Sequence, residues 1–354
     1  MQSTLYVGTY TRGEGDQPPV AEGLIVYEMD TETGALRRVR AVDAGQDPTF
    51  FALTRDERYI FAANHLDEGY ARVVRIEEND DLVPLNERPV HGSNPCYISL
   101  DPTERWLLVA SYSSGDFTVL PLDEDNHILP ASDVVRNAGS GPNKERQDGP
   151  HAHSIRFSQD GGFVFAVDLG TDRVWVYRLD TQAGKLLPHD PPAFELHPGA
   201  GPRHLDFSID GQYVYIANEL DSTITACRWE SAAGKLEHLQ TLSTLRGDFE
   251  GENYPADIHV SPSGGFVYVS NRGENTLAAF RIDRQSGRLE LAGTYGCGGN
   301  WPRNFAIHPE GKFLLAANQY SHNIVVFKIA PDGSLQPAGI EVTEHSPVCL
   351  IFGG

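Results

Sequence analysis

Arg203, Glu219, His153, Arg272 and Arg303 are the side chains of this 354-residue chain whose types could act together on one small molecule. Arginine's planar fork grips a carboxylate or phosphate through two hydrogen bonds and can steady a developing oxyanion. Glutamate and histidine can take a proton from water. Local spacing already pairs two of the five. In GPRHLDFSIDGQYVYIANE, residues 201–219, Asp210-Gly211 marks a hairpin turn, and a tight turn at Gly211 brings Arg203 up to Glu219. Alone, a cross-strand ion pair is worth about 0.2–1 kcal/mol and needs no function. The other three lie in distant segments, so a larger architecture has to deliver them.

That architecture is written as a repeat. DPTFFALTRDERYIFAAN, NPCYISLDPTERWLLVAS, HAHSIRFSQDGGFVFAVD, GPRHLDFSIDGQYVYIAN, YPADIHVSPSGGFVYVSN and WPRNFAIHPEGKFLLAAN align without a gap. Each opens on a Pro at 48, 95, 202, 255 or 302 (Ala152 in the third copy), about fifty residues apart. The third and fifth residues after that marker are always apolar, the period-two signature of a strand with one buried face. A turn, an aromatic (Tyr59, Trp106, Phe163, Tyr213, Phe266, Phe313) and a second apolar strand follow. Third and fourth strands, as in RVWVYRLD and LLP, flank a Gly-containing turn such as DTQAGK. Four strands per repeat, without helical periodicity, predict an all-β propeller of four-stranded antiparallel blades. The ends supply a seventh blade. SPVCLIFGG matches a first strand, with Pro347 as marker, and LYVGTY with GLIVYEMDTETGALRRV matches strands two to four. The expectation is one domain over 1–354, its ring closed by pairing strand 346–352 with strands in 4–40, which removes the open sheet edges.

Closing the ring defines two circles of residues on one face. The residue after each marker gives Thr49, Cys96, His153, Arg203, Ala256, Arg303 and Val348. The residue after each second strand's polar stop gives His65, Tyr112, Leu169, Glu219, Arg272, Gln319 and Tyr10. The five chemical side chains all fall on these circles, at the mouth of a central channel. Asn64, Asn218, Asn271 and Asn318 recur regardless of neighbours and read as turn and capping devices. HAH at 151–153 puts two imidazoles on one strand face, but a catalytic metal site wants a third protein ligand and none is indicated, so no metal is expected. The long polar segment before the third copy, residues 134–151, reads as a lid or rim, where Lys144 and Arg146 could reach a substrate's distal anion but are read first as solvated charges. Asp257 and His259 read as packing residues.

Composition narrows the partner. Asp+Glu number 49 against 28 Lys+Arg, a formal net charge of −21, which repels nucleic acid and anionic membranes. A local excess of arginine on such a chain attracts small anions. No stretch approaches the apolar length of a membrane span, MQSTLYVGTY lacks the features of a signal peptide, and Cys96, Cys227, Cys297 and Cys349 lie far apart. A cytoplasmic protein with free thiols, a monomer or weak homo-oligomer, is the expectation.

GPRHLDF, ANEL, DFEG with ADIHVSP, SNR, WPRNFAI and AANQYSHNIVVF together resemble the seven-bladed propeller lactonase family, across nearly the whole chain. Its named members are the propeller-type 6-phosphogluconolactonases and the fungal carboxy-muconate lactonizing enzymes. The resemblance implies hydrolysis of a small anionic sugar lactone without a cofactor, foremost 6-phospho-D-glucono-1,5-lactone to 6-phosphogluconate in the pentose phosphate pathway. It also implies an active-site set of one His, two Arg and one Glu, which falls by motif on His153, Arg203, Arg272 and Glu219. Arg303, His151, His204 and Gln319 stand beside them as expected substrate contacts. No G-x-S-x-G elbow is present, which favours direct attack by water with Glu219 or His153 as base. Alternatives within enzymes are an unphosphorylated aldonolactone substrate or muconate-type cycloisomerisation. The alternative outside enzymes is a protein-binding platform, which requires a large exposed apolar patch. On this reading Glu219→Gln should abolish turnover at little cost in stability.

Overall fold

Alternating apolar residues after each marker form the innermost strands of seven antiparallel four-stranded sheets in the computed structural model, which describes residues 1–12, 21–78 and 81–353. In the fourth blade the strands run Pro202–Phe207, Tyr213–Asn218, Thr223–Glu230 and Lys235–Ser243, from channel to rim. The last blade takes its innermost strand, Pro347–Phe352, from the C-terminus and Gln2–Thr9, Leu24–Asp30 and Leu36–Val42 from the N-terminus. Part of the expected 4–40 segment, residues 13–20, lies outside the described residues. Pro347–Phe352 touches the innermost strands on both sides, Pro302–Ile307 and Pro48–Leu53, so the blades form a closed ring.

The core is divided accordingly. Each of seven apolar clusters fills one gap between adjacent blades, such as Phe165, Val214, Ile216 and Trp229 between the third and fourth. Five of the six aromatics that follow the hairpin turns, Trp106, Phe163, Tyr213, Phe266 and Phe313, pack on the glycine of a neighbouring blade's outer turn. Gly287 sits at φ +70° with Tyr213 directly over it, leaving no room for a Cβ. The recurrent Asn side chains are buried and donate into their surroundings, as Asn64 does to the carbonyls of Ala44 and Gln46 at 2.9 and 2.8 Å.

A simple hairpin does not describe the open end of these strands. Pro202 pairs with Asn218, but His204 pairs with Ala217, so Arg203 is the extra residue of a β-bulge. Thr49, Cys96, His153, Arg303 and Val348 occupy the same bulge in their blades, and in the fifth blade the same one-residue shift falls between Pro255 and Ile258, where Ala256 and Asp257 stand opposite Ser270. A bulge re-aims the side chain it carries. The strand alternation that places apolar residues between blades is thereby broken once per blade, at the channel mouth.

The turn before the bulge repeats too. Asp47, Asn94, Gly201, Trp301 and Ser346, each just before a marker, are left-handed, with φ between 45° and 68°. This conformation costs a residue with a Cβ about 1–2 kcal/mol. The carbonyl of the same residue accepts the amide of the second-circle residue. His65 bonds Asp47, Glu219 bonds Gly201, and Gln319 bonds Trp301, at 2.9, 2.7 and 3.0 Å. That clasp fixes the two circles relative to each other.

Candidate active site

Glu219 follows the strand Tyr213–Asn218, and its carboxylate, 3% exposed, is the hub of the mouth. Arg272, ending the second strand of the fifth blade, donates Nη2 to Oε2 at 2.7 Å. Arg146, from the loop before the third blade, donates Nη2 to Oε1 at 2.5 Å and to the Tyr112 hydroxyl at 3.1 Å. Arg203 Nε lies 3.1 Å from Oε2 but its N–H is not aimed at that oxygen, so the attraction is Coulombic rather than a hydrogen bond. The imidazole of His153 completes the group, with Nε2 4.0 Å from Oε2.

Burial would push Glu219's pKa up, yet Arg272, Arg203 and Arg146 together outweigh it and hold the carboxyl at about 2. Glu219 is therefore fixed as an anion. Burial first, then Arg203, His204 and Arg303, push His153 well below its ordinary value, so its imidazole is neutral at pH 7. Burial, Arg272 and Arg303 bear on Arg203 in the same way and are only partly countered by Glu219, so its pKa is depressed. An arginine keeps its proton at working pH, so this depression amounts to a demand for more negative charge. Cys96 Sγ stands 3.7 Å from His153 Nδ1, but burial pushes the thiol up to about 12, which rules it out as a nucleophile.

Arg303 is different. Its guanidinium lies 5.6 Å from the centre of the Tyr10 ring, and among the described residues no carboxylate pairs with it. Four guanidiniums thus surround one carboxylate. The arrangement can bind an anion, stabilise an oxyanion and offer a neutral imidazole to an attacking water.

The remaining expected contacts are placed as follows. His204 lies behind Arg203 with both ring nitrogens engaged. Nδ1 donates to Asp257 Oδ1 at 2.8 Å, which leaves Nε2 to accept from Arg203 Nη1 at 3.2 Å. His151 is at the rim, stacked on Tyr112 and bonded through Nε2 to Asp148 at 3.1 Å. Gln319 is buried at the clasp with Trp301.

Two residues read as bystanders are not. Arg146 binds the hub carboxylate. Its only signal was membership of the longest loop on the mouth face, and a loop's reach cannot be read from strand periodicity. Asp257, 2% exposed, takes His204 on Oδ1 and His259 and Asn304 on Oδ2, at 3.0 and 2.5 Å for the last two. Asp257 stands second after its marker, where His204 and Asn304 stand in their blades, one residue beyond the circle of bulged residues read from the sequence. Among the described residues no three His, Cys, Asp or Glu side chains are grouped to hold a metal. Among the described residues no helix is long and apolar enough to cross a membrane.

Residues 4–352 match the family described as lactonase, 7-bladed beta-propeller. A 6-phosphogluconolactonase of Bacillus subtilis is 34% identical over 286 residues, covering 80% of this chain and 79% of that one. A 6-phosphogluconolactonase of Formosa agariphila is 32% identical over 302 residues, covering 82% and 83%. The solved periplasmic gluconolactonase of Pseudomonas aeruginosa superposes with a TM-score of 0.93 at 32% identity, covering 100% of this chain and 99% of that one.

Proposed function

The chain belongs to the seven-bladed β-propeller lactonase family, and from that premise we propose that it hydrolyses 6-phospho-D-glucono-1,5-lactone by direct attack of water at the arginine mouth. The observation that carries the reading is Arg303, which pairs with no carboxylate among the described residues, beside a hub where Glu219 is already shared by three guanidiniums. A neutral substrate would leave that excess of positive charge unanswered. A phosphorylated lactone meets it.

Water adds to the ring carbonyl, the carbonyl oxygen becomes an oxyanion, and the ring C–O bond then breaks to give the acid and an alcohol. In this proposal His153 takes the proton from water and returns it to the departing ring oxygen. Its imidazole is neutral, and Glu219 stands 4.0 Å away to stabilise the imidazolium that forms. Glu219 itself, held at about 2, is a poor base, and its part is to gather Arg146, Arg203 and Arg272. Arg203 and Arg272 face the oxyanion, and Arg303 takes the substrate's distal anion. The likeness to the Pseudomonas aeruginosa gluconolactonase supports a second reading, in which the lactone is unphosphorylated.

Initial rates on the phosphorylated lactone and on glucono-1,5-lactone, each corrected for spontaneous opening, test both. The first reading expects a kcat/KM at least about tenfold higher for the phosphorylated substrate, a gap that closes in Arg303→Met. Equal values, or a gap insensitive to Arg303, would favour the second. Should neither lactone open faster than in buffer, the catalytic reading is wrong.

A further inference from the structure

The residue before the innermost strand is left-handed in five of the seven blades, and the type placed there varies. Asp47, Asn94 and Gly201 are types that adopt the conformation readily, and Ser346 is small. Trp301, at φ +68°, is a bulky aromatic in the same place. Its backbone is held on both sides, the amide donating to Asn275 Oδ1 at 2.8 Å and the carbonyl accepting from Gln319 at 3.0 Å. The side chain is what distinguishes this turn from its counterparts.

The indole centre lies 5.5 Å from the guanidinium carbon of Arg272. Tyr320 stacks on the indole at 5.1 Å, and Tyr254 tilts against it at 6.0 Å. Arg272 in turn donates Nε to the Tyr254 carbonyl at 3.1 Å and Nη2 to Glu219. Among the described residues Glu219 is the one carboxylate paired with Arg272, and the guanidinium is nonetheless almost wholly buried. An aromatic face against a guanidinium fixes the plane of its fork as well as attracting its charge. Strained backbone retained beside a functional group points to a role for the side chain it presents.

We infer that Trp301 is a positioning residue, which holds the Arg272 fork in the plane that meets both Glu219 and the substrate's oxyanion. Its catalytic consequence rests on the lactonase reading above. Its action on Arg272 does not.

Trp301→Gly, Trp301→Phe, Arg272→Met and the double variant Trp301→Gly/Arg272→Met test it in the full-length protein. Trp301→Gly is expected to lower kcat/KM about tenfold, with the loss mainly in kcat. Trp301→Phe, which keeps an aromatic face, should recover most of that loss. In the Arg272→Met background the Gly substitution should cost nothing further. Full activity in Trp301→Gly, no rescue by Phe, or losses that multiply would overturn the inference. Melting midpoints supply a readout that needs no substrate. Glycine relieves the turn and loses the Tyr320 and Tyr254 contacts in both backgrounds, but forfeits the contact with Arg272 only where Arg272 is present, so it should lower the midpoint more in wild type than in Arg272→Met. The same shift in both backgrounds would refute the coupling, even if no lactone proved to be a substrate.

Discussion

Glu219 is where the chemistry of single residues and their stability become inseparable. Read in sequence, Glu219→Gln was expected to cost activity alone. Its burial among three guanidiniums changes that expectation, because removing one partner of a buried ionic cluster leaves uncompensated charge. The variant should lose about 3–5 kcal/mol in denaturant melts as well as turnover. Phosphate or sulfate should restore part of the loss by occupying the arginines, and melts with and without 50 mM of either anion, roughly a saturating level for a millimolar site, check it. Asp257→Asn probes the opposite side of Arg203. It leaves one acceptor oxygen where the carboxylate took His204, His259 and Asn304, so the His204 tautomer, and with it the nitrogen that receives Arg203 Nη1, is no longer fixed. A fall in kcat/KM of about tenfold to a hundredfold is expected, and an unchanged value would show that Arg203 needs no support from behind.

At the scale of elements, the hairpins were legible because period-two burial is local, and the markers because proline and the turn residues punctuate it. The bulges were not. A bulge changes no residue type and leaves the apolar pattern intact beyond it, so aligned copies all carry it invisibly. Yet it is what aims Arg203, His153 and Arg303 into the channel. The outer turns show the converse, a device visible in sequence whose reason is tertiary. Gly287→Ala is expected to lose about 1–3 kcal/mol, since the methyl must displace the Tyr213 ring and the backbone is left-handed. Its KM should be unaffected, because the contact lies on the rim. A denaturant titration beside a steady-state assay separates the two.

For the whole molecule, the mouth makes stability depend on acid. Glu219 falls from 4.5 to about 2 because its arginines outweigh its burial, His204 and His65 fall from 6.5 to about 4 chiefly through burial, and His153 is depressed well below its ordinary value, burial again first. A depressed group stabilises the fold above its unfolded pKa and ceases to as pH falls through the folded one. His259 works in the opposite sense, because Asp257 raises it against the pull of burial. Four depressed histidines, His308 being the fourth, outnumber one raised one. The melting midpoint should therefore fall as pH drops from 6.5 to 4, and fall again as Glu219 takes its proton towards 2. A midpoint flat across that range in calorimetry would contradict the electrostatic picture of the mouth. Removing residues 346–354 should abolish the cooperative transition, since it takes away Leu350 and Cys349 from two interblade cores and reopens the ring.

Sequence by itself determined the strand count, the blade repeat and the complementarity of the two ends, because each rests on the alternation of side chains along an extended backbone. It also named Arg203, Glu219, His153 and Arg272 as neighbours, since residues at equal positions in a circular repeat must share a face. What it left open was anything set by packing across blades. Whether Arg146 reaches inward, which donors Asp257 gathers and why a tryptophan occupies a glycine-like turn are decided by distances between segments far apart in the chain. Those distances exist only once the ring has closed.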